Sequence, residues 1–344
     1  MIDVLLESYE DELFYSWLAR SYVKNCYPDY KTFSLQVMGR RDTNPSFDFI
    51  NRIEEAEQRN IKKIFKGGIK QIIDKHTLIP YYACCIESEK WQYIYENAGK
   101  ANLAFDKLLG LPNLQHTKYL KYCPLCANED RKKYGEAYWH RKHQIIDVSV
   151  CYLHKVKLIE TNIATNEKVR WNLYAAEMEI PEKSVVEEAT ESEIKKASYT
   201  AELLELASDI SVVDNMTAGR YLSLRMIGTK YVTARGNKRH VSMLNKDLND
   251  YWKREIPLYK MKKVLRGLTN QINEIVAIAI ILDVSPKELL LKENASDEHI
   301  VEFDNKVIEM YQNGKTVNAI AYAMQLSPLT VRNIIKKRLQ LSSL

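Results

Sequence analysis

Two short pairs of metal-binding residue types lie near the middle of the sequence. Cys123 and Cys126 form a C-x2-C pair, and Cys151 and His154 form a C-x2-H pair, with 24 residues between the two pairs. A two-residue gap lets a tight turn direct both side chains of a pair at one centre, and thiolates with an imidazole suit tetrahedral Zn2+. Four such ligands leave no coordination position for water. The spacing therefore predicts one structural zinc ion bound by these four residues.

Two further histidines between the pairs leave a second kind of site chemistry open. His140 and His143 have a spacing that could also bind metal, which would give an alternative set of four ligands. A nuclease would use one of them as a general base beside a second metal ion. That chemistry needs carboxylates, for which Glu136 and Asp147 are the near candidates. We prefer the C-x2-H pair because it supplies a thiolate beside its imidazole.

The elements that must position these residues are mainly helices. The chain has 344 residues, of which 46% are hydrophobic, and only 11 Gly and 9 Pro interrupt long stretches of 3.6-residue apolar periodicity. We expect a mainly α, multi-domain protein with a small zinc-ribbon module and tandem C-terminal helix-turn-helix modules. The predicted domains are an N-terminal helical, partner-facing domain (1–118), a zinc-binding module (119–160), an acidic connector with one helix (161–214), a basic helical DNA-binding segment (215–260) and the tandem modules (261–344).

Periodicity and composition predict the individual elements of the first three domains. The N-terminal domain should contain a series of amphipathic helices, followed by an extended segment around Pro80. Aromatic and β-branched residues after Gly135 favour short strands pinned by the metal. The predicted segments are helices at 11–23, 33–38, 49–53, 61–73 and 191–206, and an extended chain at 76–82.

Charge is distributed unevenly along the chain, although the net charge is only +5. Residues 177–214 contain eleven acidic and three basic residues, whereas residues 219–270 contain thirteen basic and three acidic residues. After Glu309 there are five basic residues and no acidic residue. A basic C-terminal third is typical of proteins that bind nucleic acid, and it predicts double-stranded DNA as the partner of this part of the chain.

A basic loop lies inside that C-terminal third. Residues 228–239 are bracketed by two predicted helices, 218–227 and 241–251, and they include two glycines and no acidic residue. A loop of this composition suits phosphate contacts, because such contacts need charge and reach more than fixed geometry. Its candidate DNA-binding residues are Lys230, Arg235, Lys238 and Arg239.

Two later segments repeat one pattern. Residues 284–289 and 326–331 each begin with an apolar residue, a Ser suited to cap a helix and a Pro suited to its first position, and each follows an apolar helix. An apolar helix, a short turn and a capped second helix form the helix-turn-helix pattern. The two copies therefore predict tandem modules.

The second helices of the two copies differ on their outer faces. In the later copy, Val331, Ile334 and Ile335 are predicted to face inward, which leaves Arg and Asn side chains suited to base edges and Lys side chains suited to phosphates. The earlier copy has a nearly neutral outer face, which we expect to pack on protein; it carries Lys287, Glu288, Lys292 and Glu293. The candidate DNA-binding residues of the later copy are Thr330, Arg332, Asn333, Lys336 and Lys337.

The rest of the sequence argues against several classes of protein. The acidic stretch 1–12 lacks the basic and apolar parts of a signal peptide, and the longest apolar run, 275–282, is too short to cross a bilayer. Three cysteines outside the metal-binding pairs have no regular spacing, which favours reduced thiols in the cytoplasm. We find no phosphate-binding loop, paired-carboxylate nuclease centre or nucleophile with a neighbouring base, so we expect no enzymatic activity.

A longer set of residues surrounds the two metal-binding pairs. It consists of Tyr122, Cys123, Pro124, Leu125, Cys126, Tyr134, Gly135, Glu136, Tyr138, Trp139, His140, Arg141, His143, Gln144, Val150, Cys151, His154 and Leu158. Upstream lie the stretch Leu-Phe-Tyr-Ser-Trp-Leu-Ala-Arg at 13–20 and the stretch His-Thr-Leu-Ile-Pro-Tyr-Tyr at 76–82. Together these residues resemble the TniQ family, and the resemblance extends from the N-terminus to about residue 160.

The resemblance implies a role in bacterial transposition. TnsD-like members of the family select the target site, so the implied protein binds an attachment site in double-stranded DNA and recruits the AAA+ ATPase TnsC, and through it the transposase. Phe14, Tyr15 and Trp17 are then candidates for the partner contact, and the site of action is the bacterial cytoplasm at the nucleoid. Two alternatives remain: an adaptor on a CRISPR RNA-guided effector, in a group where a second zinc quartet is common, and a zinc-containing helix-turn-helix transcription regulator.

Overall fold

A computed structural model of the chain describes residues 6–41, 46–86, 88–101, 103, 105–108, 117–165, 173–209, 216–233, 239–292, 297–324, 326 and 328–339. The chain divides into two compact units. Residues 1–83 and 88–211 form the N-terminal unit, and residues 84–87 and 212–344 form the C-terminal unit. Helices predominate in both units, as the low Gly and Pro content predicts. Among the described residues, no helix combines the length and the apolar character needed to span a bilayer.

Among its described residues, the N-terminal unit contains helices and one small two-stranded sheet. The two strands are β1 (Tyr119–Tyr122) and β2 (Ile159–Ala164), and short 3-10 helices occur at Ile79–Cys85 and Lys142–Gln144. The α-helices are α1 (Phe14–Lys24), α2 (Tyr30–Met38), α3 (Glu55–Ile61), α4 (Gly68–His76), α5 (Ser88–Asn97), α6 (Phe105–Leu108), α7 (Pro124–Tyr134), α8 (Ala176–Glu179) and α9 (Glu191–Asp209). The helix predicted at 191–206 is confirmed by α9, and the helix predicted at 11–23 by α1.

Helix α1 lies in the core of this unit. Its aromatic side chains Phe14 and Trp17 pack on Phe65, with ring centroids 5.9 and 5.3 Å from that of Phe65. The indole nitrogen of Trp17 donates a hydrogen bond to the carbonyl of Leu6 at 3.0 Å. A helix that is buried on most of its circumference is a central packing element and presents few apolar side chains to solvent.

Two helical predictions in the N-terminal unit were wrong. Residues 49–53 form no helix, because nearby side chains satisfy the backbone in another way: the Ser46 hydroxyl accepts from the Phe49 amide at 3.1 Å, and the Asn51 side chain accepts from the Ser46 amide at 2.8 Å. The predicted helix 61–73 is divided between α3 and α4. The break covers residues 62–67, and α4 begins at Gly68, whose φ of +65° suits glycine because it has no side chain.

The extended segment predicted at 76–82 was also wrong. Residues Ile79–Cys85 form a 3-10 helix, with Pro80 in its first turn. At that position the missing proline N–H is not needed by the helix, so proline is tolerated there. Proline also disfavours the helical conformation in the residue before it, but here that residue is the first of the 3-10 helix. The residues after Pro80 are therefore free to form the helix.

The strands of the metal-binding region lie outside the two pairs of ligands, whereas we predicted them between the pairs, after Gly135. Strand β1 precedes the first pair and pairs antiparallel with β2, which follows the second pair, with Lys121 opposite Glu160. The segment after Gly135 instead forms hydrogen bonds with residues at the start of α1. There the Trp139 carbonyl accepts from the Leu13 amide at 3.0 Å, and the Trp139 amide donates to the Ser16 hydroxyl at 3.0 Å. We call residues 119–164 the metal module.

Apart from an isolated antiparallel bridge between Val232 and Arg239, the regular elements among the described residues of the C-terminal unit are helices. Its helices are α10 (Ala218–Arg225), α11 (Val241–Trp252), α12 (Leu258–Leu265), α13 (Ile272–Ile281), α14 (Pro286–Leu291), α15 (Asp297–Gln312), α16 (Val317–Met324) and α17 (Pro328–Leu339). Helix α14 has the predicted cap: the Ser285 hydroxyl accepts from the Glu288 amide at 3.2 Å, and the Glu288 carboxylate accepts from the Ser285 amide at 2.9 Å. The corresponding Ser327 lies outside the described residues.

The two repeated segments form helix pairs with different outer faces. On α14, Lys287 is exposed and Glu288 forms an ion pair with Arg225 at 3.3 Å. Lys292, which we predicted to lie outside, is buried where the chain turns out of α14 with a φ of +53°. A left-handed residue at a helix end leaves the helical path, so helical periodicity does not predict the side on which the Lys292 side chain lies. Glu293 lies outside the described residues.

On α17 the predicted inner face is confirmed. Val331, Ile334 and Ile335 are buried, and they form one apolar cluster with Ile320 of α16 and Leu326 of the turn. Apolar residues at these spacings share one face of a helix, so the polar residues between them are left on the opposite face.

Candidate metal centre and candidate DNA surface

Each pair of predicted ligands is held by a local turn. Cys123 is the residue before α7, Pro124 takes its first position, and Cys126 lies in its first turn. Cys151 and His154 lie on a separate tight turn, in which the Cys151 carbonyl accepts from the Lys155 amide at 2.8 Å. In each pair, the local turn of the backbone therefore directs both side chains towards the same point.

The structure brings all four predicted ligands together. The Nδ1 atom of His154 lies 3.6 Å from the sulfur of Cys123, 3.3 Å from that of Cys126 and 3.7 Å from that of Cys151. The sulfurs of Cys126 and Cys151 are 3.7 Å apart, and all four ligand atoms lie within 4.8 Å of one another. Tetrahedral zinc, with Zn–S near 2.3 Å and Zn–N near 2.1 Å, gives edges of about 3.6 to 3.8 Å. These four residues are therefore placed to hold one metal ion.

The ionisation of the three thiols supports this assignment. Hydrogen bonds from Cys126 and Cys151 lower the pKa of Cys123, whereas the hydrogen bond to Cys123 raises the pKa of Cys126 and raises that of Cys151 to about 12. Three sulfurs this close cannot all ionise unless a cation offsets their repulsion. A bound dication supplies that charge and favours the thiolate form of all three.

Two side chains outside the four ligands contact them. The Glu129 carboxylate lies 3.1 Å from Nε2 of His154, the ring nitrogen that faces away from the sulfurs. The Nε2 atom of His143 lies 3.8 Å from the sulfur of Cys126. A carboxylate behind a ligating histidine fixes its orientation and tautomer. We did not identify Glu129 from the sequence, although a carboxylate one helical turn after Cys126 is a sign that could be sought.

Of the two histidines considered as alternative ligands, His140 pairs with a carboxylate, whereas His143 contacts the sulfur of Cys126. The ring N–H of His140 donates to the Asp130 carboxylate at 2.9 Å. Burial lowers the pKa of His140, but the hydrogen bond and the charge of Asp130 outweigh burial and raise it. Burial lowers the pKa of His143, and the charge of His140 lowers it further. Glu136, a carboxylate candidate for a nuclease, forms ion pairs with Arg20 at 3.0 Å and Lys24 at 2.7 Å. These contacts give the nuclease alternative no support.

A buried ion-pair network joins the metal module to α1. Arg20 donates to both carboxylate oxygens of Glu12, at 3.0 and 2.9 Å, and to Glu136, which follows α7. Its guanidinium carbon lies 3.7 Å from the ring centroid of Tyr9. Burial alone would lower the pKa of Arg20, but the charges of Glu12 and Glu136 raise it. Burial raises the pKa of Glu12 despite the charge of Arg20, whereas burial of Glu136 is offset by Lys24 and Arg20, which together lower its pKa.

A second buried arginine joins the metal module to the segment at 76–82. Arg141 is buried, lies 3.3 Å from a carboxylate oxygen of Asp11, and donates to the carbonyls of Asp74 and Thr77. The carbonyl of Glu12 is 2.7 Å from Nδ1 of His76, whose pKa burial lowers to about 4. The three stretches that carry the family resemblance thus form one packed structure.

The predicted partner-contact residues lie in the interior. Phe14, Tyr15 and Trp17 are all buried, and the Tyr15 hydroxyl accepts from the backbone amide of Tyr174. They stabilise the N-terminal unit by packing. None of these three side chains is exposed on the surface of that unit.

The predicted DNA-binding residues of the basic loop are only partly described. The exposed Lys230 forms an ion pair with Asp247 at 2.6 Å. The Arg239 side chain is half-buried and donates to the Ser223 carbonyl at 3.2 Å, so it is engaged within the unit. Arg235 and Lys238 lie outside the described residues.

On α17 the candidate residues occupy the face opposite the buried cluster. Arg332, Asn333 and Lys336 are exposed, and Thr330 is half-buried. The side chain of Lys337 lies outside the described residues. A row of exposed basic and amide side chains on one helix is the arrangement that base and phosphate contacts require.

One protein family matches the part of the chain that contains the candidate metal ligands. Residues 4–158 match the family model TniQ, a range that contains α1, both metal-binding pairs and the two arginine networks. Over that part of its length the chain is similar to the TniQ family.

One relative narrows the comparison further. The chain is 26% identical over 153 residues to the transposon Tn7 transposition protein TnsD of Escherichia coli. The alignment covers 42% of this chain and 29% of TnsD. The chain is therefore similar to TnsD in this region, and the alignment spans less than a third of the length of that relative.

Proposed function

We propose that this protein is a target-site selector of a bacterial TnsD/TniQ-type transposon. It binds an attachment site in double-stranded DNA through its C-terminal unit and recruits the AAA+ ATPase TnsC, which brings in the transposase. It catalyses no reaction itself. The match to TniQ and TnsD supports the transposition role.

The observation that carries DNA binding is the outer face of α17. Arg332, Asn333 and Lys336 are exposed above a buried apolar face, in a part of the chain with no acidic residue after Glu309. Arg and Asn make bidentate contacts with base edges, and Lys contacts phosphate. The helix pair α16–α17 supplies the apolar helix, turn and second helix of a DNA-binding helix-turn-helix.

We propose that the bound metal is one structural Zn2+. Three cysteines and one histidine are the ligand set of many closed zinc sites, and Cys123, Cys126, Cys151 and His154 provide it. Zinc supplies folding free energy to the metal module and opens no position for a reacting water. Elemental analysis of the purified protein tests the identity of the metal and its ratio of one per chain.

A binding experiment tests the DNA-reading role. The purified full chain is titrated onto DNA flanking the natural insertion point, and onto random DNA of equal length, by gel shift and footprinting. Arg332→Ala should weaken the specific site by about 1–3 kcal/mol more than random DNA. The matched control is Lys306→Ala, which removes an exposed charge elsewhere in the same unit and should leave specificity unchanged.

The salt dependence gives a second readout. Binding should weaken steeply as salt concentration rises, because contacts with phosphate release counterions. Equal losses on both DNAs for Arg332→Ala would assign this residue to phosphate contact. No specific complex at moderate salt would refute direct DNA reading and favour an adaptor on an RNA-guided effector, whereas binding without any effect on transposition would favour a transcription regulator.

A further inference from the structure

An ordered acidic segment crosses the surface of the N-terminal unit. We call residues 176–188, which comprise α8 and the chain that follows it, the strap. The Arg131 side chain holds its first half: it forms an ion pair with Glu177 at 2.9 Å and donates to the carbonyls of Ile180 at 2.6 Å and Pro181 at 3.3 Å. The strap is therefore fixed to α7, the helix that carries Cys126.

The second half of the strap is also fixed to the metal module. The Lys157 amide donates to the Glu187 carbonyl at 2.9 Å, and Val156 pairs with Glu188 as an antiparallel bridge. The Ser184 hydroxyl lies 3.0 Å from the hydroxyl of Tyr122. Contacts at both ends hold the backbone in one conformation. Binding of a partner to the strap would therefore cost little conformational entropy.

Three apolar side chains project from this fixed backbone into solvent. Met178 is 71% exposed, Val185 is 75% exposed and Val186 is 46% exposed. Single exposed apolar residues are common, but three on one short anchored segment leave apolar surface that folding of the chain does not bury. Their position contrasts with that of Phe14, Tyr15 and Trp17, which are buried in the same unit.

The charge of the strap limits what can cover these side chains. It contains five glutamates and one lysine, a net charge of −4. Glu179, Glu182, Glu187 and Glu188 are exposed around the three apolar residues. Nucleic acids and anionic membranes would be repelled by this charge, so the complementary surface is a protein face with basic and apolar residues.

We propose that the strap is the docking surface of the N-terminal unit for a protein partner with a basic, partly apolar face. The proposal rests on the recruitment role proposed above and assigns the contact with the AAA+ ATPase to this segment. The apolar side chains provide the buried centre of the contact, and the glutamates steer association and form its rim. The metal module provides the rigid support.

Two sets of substitutions in the full chain test the proposal. The first, Met178→Ser with Val185→Ser and Val186→Ser, removes the apolar surface. The second, Glu182→Lys with Glu187→Lys, reverses the charge and retains the anchoring contacts of Glu177 and Glu188. Both are compared with the unchanged chain in titrations against the purified AAA+ ATPase of the same transposon, by calorimetry and by interferometry.

The matched controls lie on other elements of the same unit. Glu202→Lys reverses an exposed charge on α9, and Tyr93→Ser removes an exposed apolar ring on α5. Both strap variants should bind the ATPase at least tenfold more weakly, and the controls should bind like the unchanged chain. Retained metal content and an unchanged circular dichroism spectrum show that each variant is folded.

The possible outcomes separate the docking proposal from the function on which it rests. If the unchanged chain binds the ATPase and the strap variants bind equally well, the docking surface is elsewhere and recruitment stands. If the unchanged chain does not bind the ATPase even when it is bound to its DNA site, the recruitment role and the docking proposal both fail. If the strap variants alter only self-association in sedimentation experiments, a second copy of the chain occupies the strap and the proposal is overturned.

Discussion

The contacts behind the metal ligands predict how tightly the ion is bound. Glu129 lies behind His154, and His143 lies beside the sulfur of Cys126. Changing such outer contacts lowers metal affinity by about 10- to 100-fold, or roughly 1.4 to 2.8 kcal/mol. Glu129 has a 61% exposed side chain, whereas His143 is 2% exposed, so water replaces the first contact and cannot replace the second. We therefore expect about tenfold weaker binding for Glu129→Gln and close to 100-fold for His143→Leu.

The tautomer of His143 gives this prediction a finer test. Among the described residues its Nδ1 atom has no hydrogen-bond partner, so the arrangement that satisfies the ring best places the single proton on Nε2, facing the sulfur of Cys126. A glutamine amide nitrogen reaches about as far from the backbone as Nε2 does. His143→Gln should therefore retain part of the affinity that His143→Leu loses.

Chelator competition measures these affinities directly. The zinc-loaded full chain is titrated with a chelator of known affinity, and the Co2+ form is followed by its thiolate absorption bands. Glu202→Gln, on the exposed face of α9, is the matched control for Glu129→Gln. Unchanged affinity in His143→Leu would refute the argument for a hydrogen bond to the sulfur. Complete loss of metal, with altered Co2+ bands, would make His143 a ligand in its own right.

Three further predictions concern stability. Cys126→Ser should release the metal and unfold the metal module, because bound metal contributes folding free energy, whereas Cys26→Ser, at an exposed thiol, should preserve both in elemental analysis and circular dichroism. Arg20→Met should lower the free energy of unfolding by about 3–5 kcal/mol in urea titrations at neutral pH, since buried Glu12 loses its cation and Glu136 keeps only its ion pair with the half-exposed Lys24. Burial raises the pKa of Glu205, but its interactions with Lys142 and other basic groups lower it to about 2. Its contribution to stability should therefore be present above its unfolded pKa of about 4.3 and be lost as the pH falls towards 2. The Glu205→Gln variant should show no such loss.

The metal ligands could be predicted from the sequence because each pair is defined locally. The spacing of Cys123 and Cys126 fits one helix start, and that of Cys151 and His154 fits one turn, so only the meeting of the two pairs depended on the fold. The inner face of α17 was predictable for the same reason, since helical periodicity alone separates Val331 from its polar neighbours.

The incorrect predictions share a physical cause. Residues 49–53 lack the helix that their apolar spacing suggests, because Ser46 and nearby side chains satisfy the backbone locally. The segment after Gly135 has strand-forming residues, yet its backbone hydrogen bonds go to the start of α1, a partner more than a hundred residues away in sequence. Composition gives a tendency, and the available hydrogen-bond partner decides the outcome.

The sequence by itself predicted the helical character of the chain, the four candidate metal ligands, the polar face of α17 and the family resemblance, because each depends on residue type and short spacing. The tertiary structure alone showed that Phe14, Tyr15 and Trp17 are buried and that Lys292 turns inward. It also joined Arg20 to Glu136 across 116 residues and left the apolar side chains of the strap exposed. Burial and long-range ion pairs depend on which surfaces come into contact when the chain folds, and local sequence patterns do not predict those contacts.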